Sequence, residues 1–202
     1  MIGGLGSKKY LEFRRKAFHL IAGCFLVVLL YYGILDAKLL LLLVFLSCML
    51  SIVLAHVRIR GLSDVLEFFE RKEEYTHARG RGAITFLVGT LLAVVVFPAS
   101  TAYASILILA MGDSISPLVG RYVGAIPHPV NRKKKIEGGI AGGVAGALAA
   151  SLFVGIVPAL IASLLTMMVE MILPEQEGWR RWIADDNIIL PLVAGITLTT
   201  LL

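Results

Sequence analysis

The chain has 202 residues, 58% of them hydrophobic and only 16% charged, with a formal net charge of +5 at pH 7 and a mean hydropathy of +0.86. A soluble domain carries about 25% charged residues, and a chain this apolar would expose too much hydrocarbon to water. The composition therefore excludes an ordinary water-soluble domain and makes lipid the expected solvent.

A membrane-crossing helix needs roughly 20 mostly apolar residues. Seven stretches answer to this, at 17–35, 38–57, 82–98, 100–119, 138–154, 156–173 and 187–202. The first has basic flanks but no small-residue cleavage site behind it, the pattern of a retained span and not of a signal peptide. Between the second and third, residues 61–77 place Leu62, Val65, Leu66 and Phe69 at helical spacing among charges. That pattern suits an amphipathic helix in the headgroup plane, either a surface linker or a lid over a lipid site. In the fifth stretch Gly138, Gly142 and Gly146 repeat every fourth residue, shadowed by Gly139 and Gly143. Such a stripe lets helices approach closely in lipid, and it also lets bare backbone approach a phosphate. Cys24 and Cys48 fall inside predicted spans and read as small apolar residues. The expected fold is all-α: one polytopic membrane domain over 1–202, with about seven transmembrane helices and one interfacial amphipathic helix.

Lys and Arg in short loops orient a membrane protein. With seven spans, every cation of the chain except Lys38 falls on one side. The N-terminus and the basic loops 58–81, 120–137 and 174–186 are then cytoplasmic, and the C-terminus is outside. The opposite connections, Tyr32–Ala37, Pro98–Thr101 and Gly155–Pro158, are tight. Chemistry that needs water belongs at the cytoplasmic face or inside the bundle.

Ionisable groups at membrane depth cost about 2.5–3.5 kcal/mol each on insertion scales, so those present need a reason. Glu12, Arg15, Lys16 and His19 lie along one helical face, as a headgroup anchor or a phosphate site. Gly112-Asp113-Ser114, followed by Ser116, Pro117, Gly120, Arg121 and Gly124, suggests a helix opened for a ligand. Asp113 has no cation nearer in the following sequence than Arg121, so a metal–phosphate complex is its expected partner. Arg132-Lys133-Lys134-Lys135 leads into Glu137-Gly138 at a helix start, where backbone N–H groups favour anions. Glu170 lies inside the sixth stretch, and Asp185-Asp186-Asn187 precedes the seventh, where capping is an alternative role. Cations suit phosphates, and carboxylates suit Mg²⁺ on phosphate oxygens. No Walker A pattern or kinase Gly-rich loop occurs.

Taken in order, Glu12, Arg15-Lys16, His19, Arg81-Gly82, Gly89, Gly112-Asp113, Gly120-Arg121, Lys135, Glu137-Gly138, Glu170 and Asp185-Asp186-Asn187 resemble the CTP-dependent lipid-alcohol kinases. That group of dolichol, phytol and yeast-type diacylglycerol kinases is itself similar to the phosphatidate cytidylyltransferases. The resemblance runs from about residue 12 to about residue 195. It implies transfer of the γ-phosphate of CTP to the hydroxyl of a membrane lipid, with Mg²⁺ or another divalent cation. Arg15, Lys16, Asp113 and Gly120 match the family's functional positions, and Glu137, Asp185 and Asp186 its acidic ones.

On this basis Asp113, with Glu137, Asp185 and Asp186, is expected to hold the metal. Arg15, Lys16 and Lys135 would offset triphosphate charge, with His19, Gly112, Gly120, Arg121 and Gly138 completing the nucleotide site. Asp113 or Glu170 would orient or deprotonate the acceptor hydroxyl. The expected partners are a lipid alcohol, CTP and the bilayer, with a homo-oligomer allowed and no nucleic acid. The acceptor is a polyprenol or dolichol first, then phytol, geranylgeraniol or a diradylglycerol. Two other readings remain open: a cytidylyltransferase making a CDP-lipid, although that family's longer C-terminal signature is not found, and a small transporter, although no internal repeat is evident.

Overall fold

The computed structural model describes residues 3–57, 59–69, 79–173, 182 and 184–202. Among them the chain is helical, without a strand. In order the helices are α1 (Gly3–Tyr31), α2 (Ala37–His56), α3 (Leu62–Phe69), α4 (Arg81–Val96), α5 (Ala99–Leu107), a π-helical turn (Ile108–Gly112), α6 (Asp113–Tyr122), α7 (Ile136–Ala150), α8 (Ile156–Ile172) and α9 (Asp186–Leu201). Each expected apolar stretch contains one helical segment.

The helix limits have local causes. After α1 the chain turns at Gly33, whose φ of +67° is easy only for glycine. Asp36 then caps α2, its side chain accepting a hydrogen bond from Leu39 N at 2.8 Å. Gly80, at φ +79°, starts α4. Asp185 caps α9 by accepting from Asn187 N at 3.0 Å.

α5, the π turn and α6 run on as one helix, Ala99–Tyr122, and form the axis of the bundle. α1, α4, α7, α8 and α9 pack around it, and 67% of its most apolar window is buried. α2 is the opposite case. It packs on α4, only 11% of its window is buried, and Leu41, Leu42, Phe45 and Leu46 point outward. An apolar face that large calls for lipid or a partner. These two helices, of 24 and 20 residues, are long and apolar enough to cross a membrane. α4, α7 and α8, at 16, 15 and 17 residues, are a residue or two shorter than their apolar stretches, and α9, at 16, equals its own; all four fall short of that length.

Of the amphipathic stretch 61–77, α3 is helical. It is held to α1 by the Arg14 guanidinium, 3.6 Å from the centre of the Phe68 ring, and by Phe18 against Phe69. Residues 70–78, with Arg71 and Lys72, and most of 174–186, with Arg180 and Arg181, lie outside the described residues.

The glycine stripe of α7 is a packing device on two faces. A Cβ at Gly138 would collide with Ser116 O, and one at Gly142 would sit 2.7 Å from Gly112 O, so this face meets the central helix. Gly139 and Gly143 lie against Met171 and Leu164 of α8. Gly89 has the same role between α4 and α9, where an added Cβ would collide with the carbonyl of Asn187. Backbone cannot retreat as a side-chain tip can. Gly89→Ala should therefore destabilise the protein by at least about 1–3 kcal/mol, read by thermal unfolding in detergent. Gly82→Ala, in the first turn of the same helix with nothing within 4 Å, should be neutral or slightly stabilising.

Candidate functional site

The central helix does not open at Gly112-Asp113, as its glycines and proline lead one to expect. It takes in one residue as a π turn over Ile108–Gly112 and returns to ordinary α-helical bonding at Asp113, whose N–H donates to Leu109 O. Pro117, within α6, has no N–H to return to the Asp113 carbonyl. π turns cluster at functional sites because they re-aim the next side chain without breaking the helix.

Asp113 is buried. Its Oδ2 accepts from Lys16 Nζ at 2.7 Å, and His19 Nε2 lies 3.8 Å from the same oxygen. The His19 ring rests on Phe86 of α4. Lys16, 97 residues away in sequence, is thus the ion partner that the neighbourhood of Asp113 in the sequence does not supply. Glu170 comes from α8 and Asp186 from the start of α9, and the three carboxylates offer oxygens all within 4.8 Å of one another. Lys134 reaches in from the 123–135 connection and donates to both the carboxylate and the backbone carbonyl of Glu170.

Charge decides what this centre can do. Two unit charges 4.8 Å apart repel by roughly 3 kcal/mol even at an effective dielectric constant of about 20. Lys16 and Lys134 meet two of the three carboxylates, which leaves Asp186 without a cation of its own among the described residues. Glu170 Oε2 is buried with no hydrogen-bond partner, an arrangement avoided unless something else fills it. Three convergent carboxylates and an orphaned buried oxygen fit a hard divalent cation such as Mg²⁺ or Ca²⁺, which prefers oxygen ligands.

The expected ligand set needs correcting in two places. Glu137 is not in this group. Its Oε1 accepts from Ala125 N and Ile126 N, both at 2.9 Å, so it closes the connection between α6 and α7. Asp185 is not in it either, being bound to Arg81 at 2.6 Å while it caps α9. Glu170, expected as a base, takes the third place in the triad.

Among the cations, Lys134 and not Lys135 reaches the acids; Lys135 Nζ is directed to Ala125 O at 3.4 Å. The connection folds back as a hairpin with Pro127 opposite Lys135, and the bend at Lys134, just before that bridge, turns its side chain to Glu170. The run of four cations in sequence carries no sign of that register. Arg15 pairs with Glu12 at 3.2 Å, and Arg121 is exposed at the end of α6. Gly112 and Gly138 are engaged in helix contacts, Gly112 against Met167, while Gly120 has Lys135 at ordinary contact distance. The chain matches no protein-family model, no curated protein and no solved structure.

Lys134→Met removes the counter-charge of Glu170. It should cost about 1–3 kcal/mol, below the 3–5 of a fully buried pair because the ammonium is partly exposed. Lys135→Met should stay within about 0.5 kcal/mol. Unfolding of the two variants side by side in detergent measures the difference.

Glu137 precedes the apolar stretch 138–154. Its own backbone N–H, then those of Ile126 and Ala125, hold its carboxyl below the ordinary value of 4.5. A depressed folded-state value means that hairpin closure is complete above the ordinary value and is lost as pH falls through the lowered one. The Ala125 and Ile126 amide resonances should stay constant from neutral pH down to about 4.5 and shift only below it.

Proposed function

We propose that this chain is a multi-pass membrane enzyme, with the N-terminus and basic loops cytoplasmic. Its reaction is transfer of the γ-phosphoryl group of CTP to the hydroxyl of a membrane lipid alcohol. A polyprenol or dolichol is the first choice of acceptor; phytol, geranylgeraniol and a diradylglycerol are the others. The observation that carries this reading is the convergence of Asp113, Glu170 and Asp186 within 4.8 Å, with Lys16 and Lys134 bound to two of them. These residues come from α1, α6, the hairpin, α8 and α9, five separate stretches of chain. Most of them also carry the sequence resemblance to the CTP-dependent lipid kinases.

Phosphoryl transfer asks a protein mainly for positioning and charge neutralisation. Asp113, Glu170 and Asp186 supply oxygens for Mg²⁺, which when bound would offset charge on the phosphates. Lys16 and Lys134 sit where they balance the acids and, with a nucleotide present, its phosphates. A carboxylate of Asp113 or Glu170 orients the lipid hydroxyl and accepts its proton. The new bond joins the lipid oxygen to the γ-phosphorus, the bond to the β–γ bridging oxygen breaks, and CDP leaves. His19, beside Asp113, and the Arg81–Asp185 pair tie together the helices that carry this centre.

The test is turnover of the purified protein with labelled CTP and a panel of lipid alcohols. A lipid phosphate and CDP are expected, with CTP used far better than ATP. A CDP-lipid and pyrophosphate would make the chain a cytidylyltransferase, and no turnover with any acceptor would overturn the reading. Asp113→Asn should lower turnover at least about 10²-fold. Because that change strands Lys16, stability should fall as well. The double variant Asp113→Asn/Lys16→Met should regain stability without regaining turnover, which separates a chemical role from a structural one.

A further inference from the structure

We infer that the acid centre lies at the floor of a locally thinned bilayer, with the lipid headgroup plane drawn down to it along the flank formed by α7 and α8. The inference rests on the membrane reading above and not on the proposed chemistry.

The helices themselves measure the depth. Asp113 is fourteen residues from Ala99, where the central helix begins, and Glu170 is fourteen from Ile156. Lys16 is fifteen from Tyr31, and Asp186 is fifteen from Leu201. At about 1.5 Å per residue, all four place the centre about 21–23 Å from the opposite end of the bundle. A hydrocarbon core is about 30 Å thick.

Helix ends give the same level independently. α4 starts at Arg81, α8 stops at Ile172 and α9 starts at Asp186. Helix ends leave backbone N–H and C=O groups that hydrocarbon cannot satisfy; the Asp185 side chain takes one of them at α9, and water or headgroups at this level would take the others.

The outward faces agree. α8 turns Ile156, Val157, Leu160, Leu165, Met168 and Ile172 outward, an apolar belt of about 24 Å at the same rise. α7 adds Ile140, Val144 and Leu148. α2, packed on α4, is 20 residues long and matches a full core. The mismatch therefore falls on the α7–α8 flank. Lipids adapt to a short belt by thinning, at a fraction of a kcal/mol per Å. A hydroxyl resting at headgroup level would then meet the carboxylates without leaving its leaflet.

Met168, exposed on α8 two residues before Glu170, is the reporter position. Met168→Cys in a Cys24→Ala/Cys48→Ala background carries a bimane label in vesicles of full-thickness phosphatidylcholine. Nitroxide is placed either on the headgroup or halfway along the acyl chain. Quenching by the headgroup nitroxide should exceed that by the mid-chain nitroxide several-fold. The reverse order would show an unthinned bilayer over the site and overturn the inference. Turnover with a fixed lipid alcohol should fall on the order of tenfold from short-chain to long-chain phosphatidylcholine; turnover indifferent to chain length would overturn the link between thinning and catalysis. Absence of turnover in every vesicle would sink the kinase reading, and the quenching result, which needs no substrate, would still decide the depth.

Discussion

Three carboxylates cannot share 4.8 Å inside an apolar bundle unless positive charge is brought to them, and much of the architecture follows from that constraint. Lys16 has to lie on the face of α1 that meets the central helix. The connection after α6 has to fold back far enough for Lys134 to reach Glu170. α9 has to start at the level of Asp113, which the Asp185–Arg81 pair and the Asp185 cap secure. A buried ion pair is weak evidence for stability in its own right, because desolvation can exceed the Coulomb gain. Three acids and two cations held together are, on the function proposed above, a place for a divalent cation.

The small residues make this convergence possible. Gly112 lies against Met167, Gly142 against Gly112 and Ser116, and Gly138 against Ser116. With larger side chains at these places α7 and α8 would stand off from the central helix, and Glu170 would be withdrawn from Asp113. The same glycines therefore serve the site indirectly, by setting interhelix distance. The Glu137 carboxylate works in a comparable way: it gathers two backbone N–H groups of the hairpin and so fixes the loop from which Lys134 projects.

Much of this was legible in the sequence. A composition of 58% hydrophobic and 16% charged residues and the apolar stretches determine an all-helical chain, because only helices satisfy the backbone within runs that apolar. The same runs mark Asp113 and Glu170 as exceptional, since an acid among aliphatic residues needs a partner. The glycine spacing of α7 announces close packing, and Asp36 and Asp185 stand where caps belong.

The tertiary structure alone decided which acids meet and which cations answer them. Glu137 and Asp185 carry the same charge as Glu170 and Asp186, but backbone amides and Arg81 claim them first. Lys134 rather than Lys135 serves the centre because of a hairpin register between Pro127 and Lys135. Lys16 finds Asp113 across 97 residues, a pairing made by the packing of α1 on the π turn and α6. Sequence patterns report periodicity along one element, whereas a charge pairs with whatever the packing of several elements places within reach.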